Sequence, residues 1–146
     1  MKVSGRWVYL YRAVDQFGQV IDVLASEHRD LAAARRFFTR TLSHGCRPVE
    51  VTTDQAAAYP RVLDELLPAS HHVDVWRANN RIESDHSQLK ARLRPMRGLK
   101  RVRSVQTVSS GHAFVQNIRS GHYELGVDAD PRLRVSAAFV ELTLAI

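Results

Sequence analysis

Asn79-Asn80-Arg81-Ile82-Glu83-Ser84-Asp85-His86-Ser87-Gln88-Leu89-Lys90 is the stretch on which the reading of this chain turns. Wound as a helix, it places Ile82, His86, Leu89 and Leu93 at steps of four, three and four, which makes a core-facing stripe. Glu83, Ser87, Lys90 and Arg94 repeat those steps one residue later and run along its flank. One carboxylate therefore shares a helix edge with two cations. A carboxylate at the border of a core can hold a metal ion, and cations further along can hold a polyanion. A solvated amphipathic helix would show the same pattern, so the rest of the chain has to decide.

Upstream, the pattern alternates between strand and helix. Trp7–Val14 is rich in aromatic and β-branched residues and predicts a strand. Asp15-Gln16-Phe17-Gly18 has turn chemistry, and residues 19–25 predict the returning strand of a hairpin. Asp30 is placed to cap a helix running to about Ser43, with Leu31, Ala34, Phe37, Phe38 and Leu42 inward and Gly45 as a stop. Pro48–Thr53 predicts a third strand, with Val49, Val51 and Thr53 on one face. A helix over residues 55–67 follows, and a short strand over 71–76. Downstream come a break at Pro95–Gly98, a helix over about 104–119, a loop from Gly121, and a terminal helix over 135–146. A leading hairpin, alternating helix and strand, then helices predict an α/β domain with a mixed sheet flanked by helices.

In such sheets reactive groups gather outside the carboxyl ends of the strands. Asp54 falls there, either as the cap of the following helix or as a chemical group. With Glu83 across the sheet end, two carboxylates could hold divalent ions and clamp the oxygens of a phosphoryl displacement. The basic run comes next. Lys90, Arg92, Arg94, Arg97, Lys100, Arg101 and Arg103 place seven cations within residues 90–103 with no acid among them. Such a strip can track phosphates, and its binding would then depend steeply on salt.

The remaining features bound the problem. The chain has 146 residues and a net charge of +6, enough for one domain and suited to a polyanionic partner. A single cysteine, Cys46, excludes an internal disulfide and a cysteine-rich zinc site. No apolar run approaches membrane-spanning length, and residues 1–7 lack a signal-peptide pattern, so an intracellular protein is expected. His71 and His72 are adjacent and would face opposite sides of a strand, a poor chelating pair. His86 and His112 sit on apolar helix faces and are expected in the core. Trp7, Tyr9, Tyr11 and Trp76 are expected to pack, and there is no glycine-rich phosphate loop.

The segments Gly5–Asp15, Thr52-Thr53-Asp54, Asn79–His86 and Arg94-Pro95-Met96-Arg97-Gly98, in that order, resemble bacterial insertion-sequence transposases of the DDE type called insertion-sequence six. That family's catalytic domain is ribonuclease-H-like. The resemblance implies that Asp54 is the second catalytic Asp and Glu83 the catalytic Glu, 29 positions apart, both metal ligands for Mg²⁺ or Mn²⁺. It implies DNA as partner (transposon ends and target), bound by the 90–103 strip, and a bacterial, nucleoid-associated, cytoplasmic setting. It implies a homo-oligomer or a mixed oligomer with intact transposase.

The family's first catalytic Asp lies in an Asp-Glu-Thr-Tyr segment just before the stretch matching residues 2–7. The resemblance therefore implies a start inside a longer gene, or a gene fragment, lacking the central first strand of the sheet. Asp15, at a turn, and Asp22, mid-strand, are not placed to replace the lost Asp. Residues 1–125 are then a partial catalytic core, with 126–146 a C-terminal loop and helix. Two functions follow: strand transfer in DNA transposition when the domain is intact, or an inactive remnant that binds nucleic acid. A ribonuclease acting on RNA–DNA hybrids would share the fold alone.

Overall fold

The computed structural model describes all residues except Cys46, 75–79 and 95–98; for residues 80–85 it describes the backbone alone. Two short strands, β1 (Lys2–Val3) and β2 (Arg6–Trp7), form an antiparallel hairpin. Its turn residues Ser4 and Gly5 both take positive φ, 47° and 82°, as a tight two-residue hairpin turn requires. β3 (Tyr9–Val14) pairs antiparallel with β4 (Val20–Ser26). The Asp15 carboxylate organises their turn by accepting the amides of Phe17 and Gln19, each at 2.9 Å.

Alternation along these strands sends their side chains to two faces, and both faces are covered. Tyr11 and Leu24 join one core cluster. Its other members are Ala33, Ala34, Phe37 and Phe38 of α1 (Leu31–Leu42), with Val62, Leu63 and Leu67 from α2 (Tyr59–Leu66) and its end. Tyr11, Phe37, Phe38 and Tyr59 meet there edge-on or tilted at centroid distances of 5.4 to 6.4 Å. Such geometry adds about 0.5–1.5 kcal/mol per pair beyond burial. On the other face Val8 and Ala25 pack with Val3 and with Val105 of α4 (Val102–Ser120).

Helix α1 starts as the sequence predicts: Asp30 caps it, its carboxylate accepting the amide of Ala33 at 2.8 Å. Its stop is Ser43, in right-handed conformation, ahead of Gly45. Asp22 is held by a two-pronged ion pair with Arg40, at 2.7 and 2.6 Å. Asp15 and Asp22 are thus both engaged in structural roles, as their sequence positions suggested.

The outer edge of β4 is sealed in an unusual way. The Asn117 amide accepts from the Val20 N–H and donates to the Val20 carbonyl, both at 2.8 Å. Gln106 accepts from the Ala25 N–H and donates to the Val23 carbonyl, both at 2.7 Å. Eleven residues of α4 span roughly 16 Å, which matches about five residues of strand. The helix therefore runs along β4 and its two amides stand in for a neighbouring strand, closing an edge that would otherwise invite further pairing. α4 ends at Gly121, whose φ of 76° supports a double-bonded cap: Gly121 N–H to the Ile118 carbonyl (3.0 Å) and His122 N–H to the Asn117 carbonyl (2.9 Å).

β5 (Glu50–Thr52) and β6 (His71–Val73) pair in parallel around α2, as strand–helix–strand patterning predicts. α3 (Asn80–Leu93) buries Leu89 and Leu93 on the expected stripe, while Ser87, Lys90 and Arg94 are exposed on its flank. Gln88 and Gln116 hydrogen-bond, tying α3 to α4. α5 (Arg134–Leu144) closes the chain.

The α/β class stands, with four corrections. Among the described residues the strands form three separate two-stranded sheets, not one mixed sheet. α2 begins at Tyr59 with Ala58 at its cap, so Asp54 does not cap it; Pro60 pre-sets the first turn instead. Val49 lies outside β5 and is 85% exposed; only its carbonyl joins the pairing, accepting the His71 N–H at 2.8 Å. Trp7 is 58% exposed: it lies on the two-residue strand β2 and borders an open cleft, with Lys2 Nζ 5.5 Å from its ring centroid. The break at Pro95–Gly98, Trp76 and Cys46 lie outside the described residues. His112 is buried as expected, and His86 is partly buried. No helix among the described residues is long and apolar enough to cross a membrane.

Candidate active site

The residues after β5 are firmly anchored. Thr53 is buried, and its N–H donates to the Val73 carbonyl (3.0 Å), extending the pairing with β6. Its hydroxyl donates to the Asp54 carbonyl at 2.9 Å and stands 2.7 Å from Nε2 of His72. From this stalk the Asp54 carboxylate projects into a cleft of about 280 Å³. Its Oδ1 accepts the Ala56 N–H at 3.1 Å, closing a local turn. Its Oδ2 accepts Nη2 of Arg29, also at 3.1 Å, and the two side chains are 49% and 51% exposed.

The opposite wall comes from β3. Three consecutive residues, Tyr9, Leu10 and Tyr11, line the cleft. Side chains alternate between faces, so three in a row mean that the edge of β3, not a face, borders it. From α3 come His86, Leu89 and Lys90. Asp54 is the only acid among the described residues that line the cleft. Next to it, burial and then the Asp54 charge push the Tyr59 hydroxyl well above its ordinary pKa.

The structure thus brings Asp54 and the Lys90 stretch of α3 to one cleft. The backbone of Glu83 belongs to α3, three residues before His86, but its side chain lies outside the described residues, so its meeting with Asp54 is not part of this geometry. Of the basic strip, Lys90, Arg92, Arg94, Lys100, Arg101 and Arg103 are exposed; Arg97 lies outside the described residues. The Ser4 hydroxyl donates to the Lys100 carbonyl (2.9 Å), fixing the β1–β2 turn against the strip. Sequence reading missed Arg29 and the cleft-facing role of Trp7. Arg29 carries no signal in one dimension, being an isolated cation in a loop 25 residues from its partner.

A family model described as a DDE domain matches residues 1–122, most of the chain. This chain belongs to the DDE transposase family of the insertion-sequence-six type. It is 36% identical over 98 residues to the transposase for insertion sequence-like element IS431mec of Staphylococcus aureus, covering 63% of this chain. The same figures hold for the S. aureus transposase for insertion sequence element IS257 in transposon Tn4003. An uncharacterized Yersinia pseudotuberculosis protein is 31% identical over 70 residues, 46% of this chain and 65% of that protein. The chain spans 43% of the length of the S. aureus relatives it matches. No solved structure matches. Both walls of the cleft, including β3, Asp54 and α3, fall inside the DDE-family match; α5 falls outside it.

Proposed function

We propose that this chain is a partial catalytic core of a DDE transposase, contributing Asp54 and Glu83 to metal-dependent DNA strand transfer. The observation that carries the proposal is the shared cleft. Asp54 stands at the end of β5, facing the helix that bears Glu83 and Lys90, inside a region matched as a DDE domain. Asp54 suits a hard divalent ion: an anchored, half-exposed oxygen donor whose hydrogen bonds among the described residues come from a guanidinium and a backbone N–H. When bound, Mg²⁺ or Mn²⁺ would supply the charge stabilisation for in-line displacement at phosphorus. The chain's own part is to hold that ion through Asp54 and Glu83 and to grip phosphates through Lys90, Arg92, Arg94, Arg97, Lys100, Arg101 and Arg103. DNA, both transposon end and target, is then the partner; a homo-oligomer or a mixed oligomer with full-length transposase belongs to the same reading.

The sheet is completed, on this reading, in ribonuclease-H-like fashion by a strand from outside residues 1–146, seated between the β3 edge and β5 and carrying the first catalytic Asp. The β3 edge bordering the cleft, with no strand paired to it among the described residues, beside a β4 edge sealed by α4, supports it. Residues 1–125 form this partial core and 126–146 an appended segment, a division supported by where the family match ends.

One observation favours a second reading, an inactive remnant that binds nucleic acid. The family's first catalytic Asp lies in a segment before the stretch matching residues 2–7, and removing one carboxylate of a shared set weakens the hold on two cations. The expected result is no strand transfer by the 146-residue chain with Mg²⁺ or Mn²⁺, and transfer by an upstream-extended version, abolished by Asp54→Asn or Glu83→Gln. Transfer by the extended version that survives both substitutions would end the assignment. DNA binding is tested separately. Neutralising Lys90, Arg94, Arg97 and Arg101 together should weaken binding across sequences and flatten its salt dependence; an unchanged slope would mean a merely solvated strip.

A further inference from the structure

Asp54 already has a cation. Arg29, in the loop between β4 and α1, donates to Oδ2 at 3.1 Å, and both groups line two adjoining cavities of about 280 and 510 Å³. A metal ion using Oδ2 of Asp54 must displace this guanidinium or share the oxygen with it. The pair is built to come apart. Each side chain is about half exposed, the contact uses one guanidinium nitrogen, and the other carboxylate oxygen is secured by the Ala56 amide. Exposed pairs of this kind are weak, so a phosphate in the cleft can compete for Arg29.

We propose that Arg29 is an internal counter-cation of Asp54 that yields the carboxylate to a divalent ion and passes onto a DNA phosphate. The inference rests on reading Asp54 as a metal ligand. Arg29 thereby links the two loadings of the cleft: without DNA it competes with the ion, and with DNA it becomes one more phosphate contact. As a planar, always-charged group it suits both partners. It is a positioning residue, acting on the ion through Asp54.

The test uses the full 146-residue chain and Tb³⁺, a hard oxygen-seeking probe whose luminescence Trp7, Tyr11 and Tyr59 in the cleft can sensitise. Arg29→Gln should raise Tb³⁺ affinity about two- to fivefold, the fold-change of one exposed ion pair. Arg29→Lys, which keeps the charge but loses the fork, should fall between the two and reads the effect alone should the Gln variant fail to fold. In a second arm, with EDTA and a 20-base-pair duplex, Arg29→Gln should weaken binding and lower the salt slope by about 0.9, one phosphate contact. A merely structural Arg29 would lower both affinities on substitution, so a gain in Tb³⁺ affinity is the decisive sign. Unchanged or reduced Tb³⁺ affinity in both variants, with binding still dependent on Asp54, overturns the counter-cation. Tb³⁺ binding untouched by Asp54→Asn overturns the metal-ligand reading itself.

Discussion

Replacing Asn117 with alanine tests how α4 closes the sheet. Asn117 is 2% exposed and its side chain makes three hydrogen bonds: two with the backbone of Val20 at 2.8 Å and one donated to the Tyr123 hydroxyl at 3.0 Å. Each such bond nets about 1 kcal/mol, and a buried backbone group left bare costs about 1–3 kcal/mol. Val20 is only half-buried, so water recovers part of that loss. Asn117→Ala should therefore cost about 2–4 kcal/mol, a large share of the ~5–15 kcal/mol typical of a domain. Urea unfolding should show the midpoint falling by about 1–2 M at an unchanged slope. Asn117→Asp keeps the acceptor for the Val20 N–H but turns a carboxylate oxygen toward the Val20 carbonyl. It should be at least as unstable at neutral pH and recover as acid protonates it into a donor. Gln106→Ala should cost less, its side chain being half-buried. The two losses should add within about 0.5 kcal/mol, because the sites lie far apart on the helix. A cost below about 1 kcal/mol for Asn117→Ala would refute the view that side-chain amides replace a strand at this edge.

Three further outcomes are expected. Asp30→Ala should destabilise the chain by about 1 kcal/mol through loss of the Ala33 amide bond, read by thermal or urea unfolding, with Asp30→Ser near neutral. Gly126→Ala should loosen α5, because Gly126 has φ of 61° and an added Cβ would stand 2.5 Å from the Arg134 carbonyl. A cost of about 1–3 kcal/mol is expected, seen as faster hydrogen exchange across residues 134–144, while α4 keeps its protection. Stability should fall as pH rises past 10, the ordinary tyrosine value. Tyr59 is held neutral in the fold, so the unfolded chain loses its proton first, at up to about 1.4 kcal/mol per pH unit. Tyr59→Phe should flatten that alkaline limb, and Tyr11, raised for the same first cause of burial, should account for part of what remains.

The elements were legible in the chain because their signals are local. Asp30 announces α1 through an amide three residues away, the 15–18 turn uses its own first side chain, and the stripe of α3 buries Leu89 and Leu93 by simple periodicity. The parallel pairing around α2 followed from element order. The structure sets Asp54 at the rim of a cleft and leaves the described cations from Lys90 to Arg103 exposed, positions that residue type and spacing had anticipated. The start of α2 was misplaced because Asp54 imitates a cap, while the Ala56 bond closes a separate turn that ends before the helix begins at Tyr59.

What the chain's order of residues determined by itself was most of the elements, though not the β1–β2 hairpin, and the two carboxylate-bearing segments, because hydrophobic period and turn chemistry act over a few residues. Only the tertiary structure decided that the described strands divide into three pairs, that Asn117 and Gln106 close one edge, and that Arg29 reaches Asp54. Those outcomes depend on groups 25 to 97 positions apart, whose meeting is fixed by how whole faces pack and by which backbone edges remain to be satisfied, neither of which has a signature along the chain.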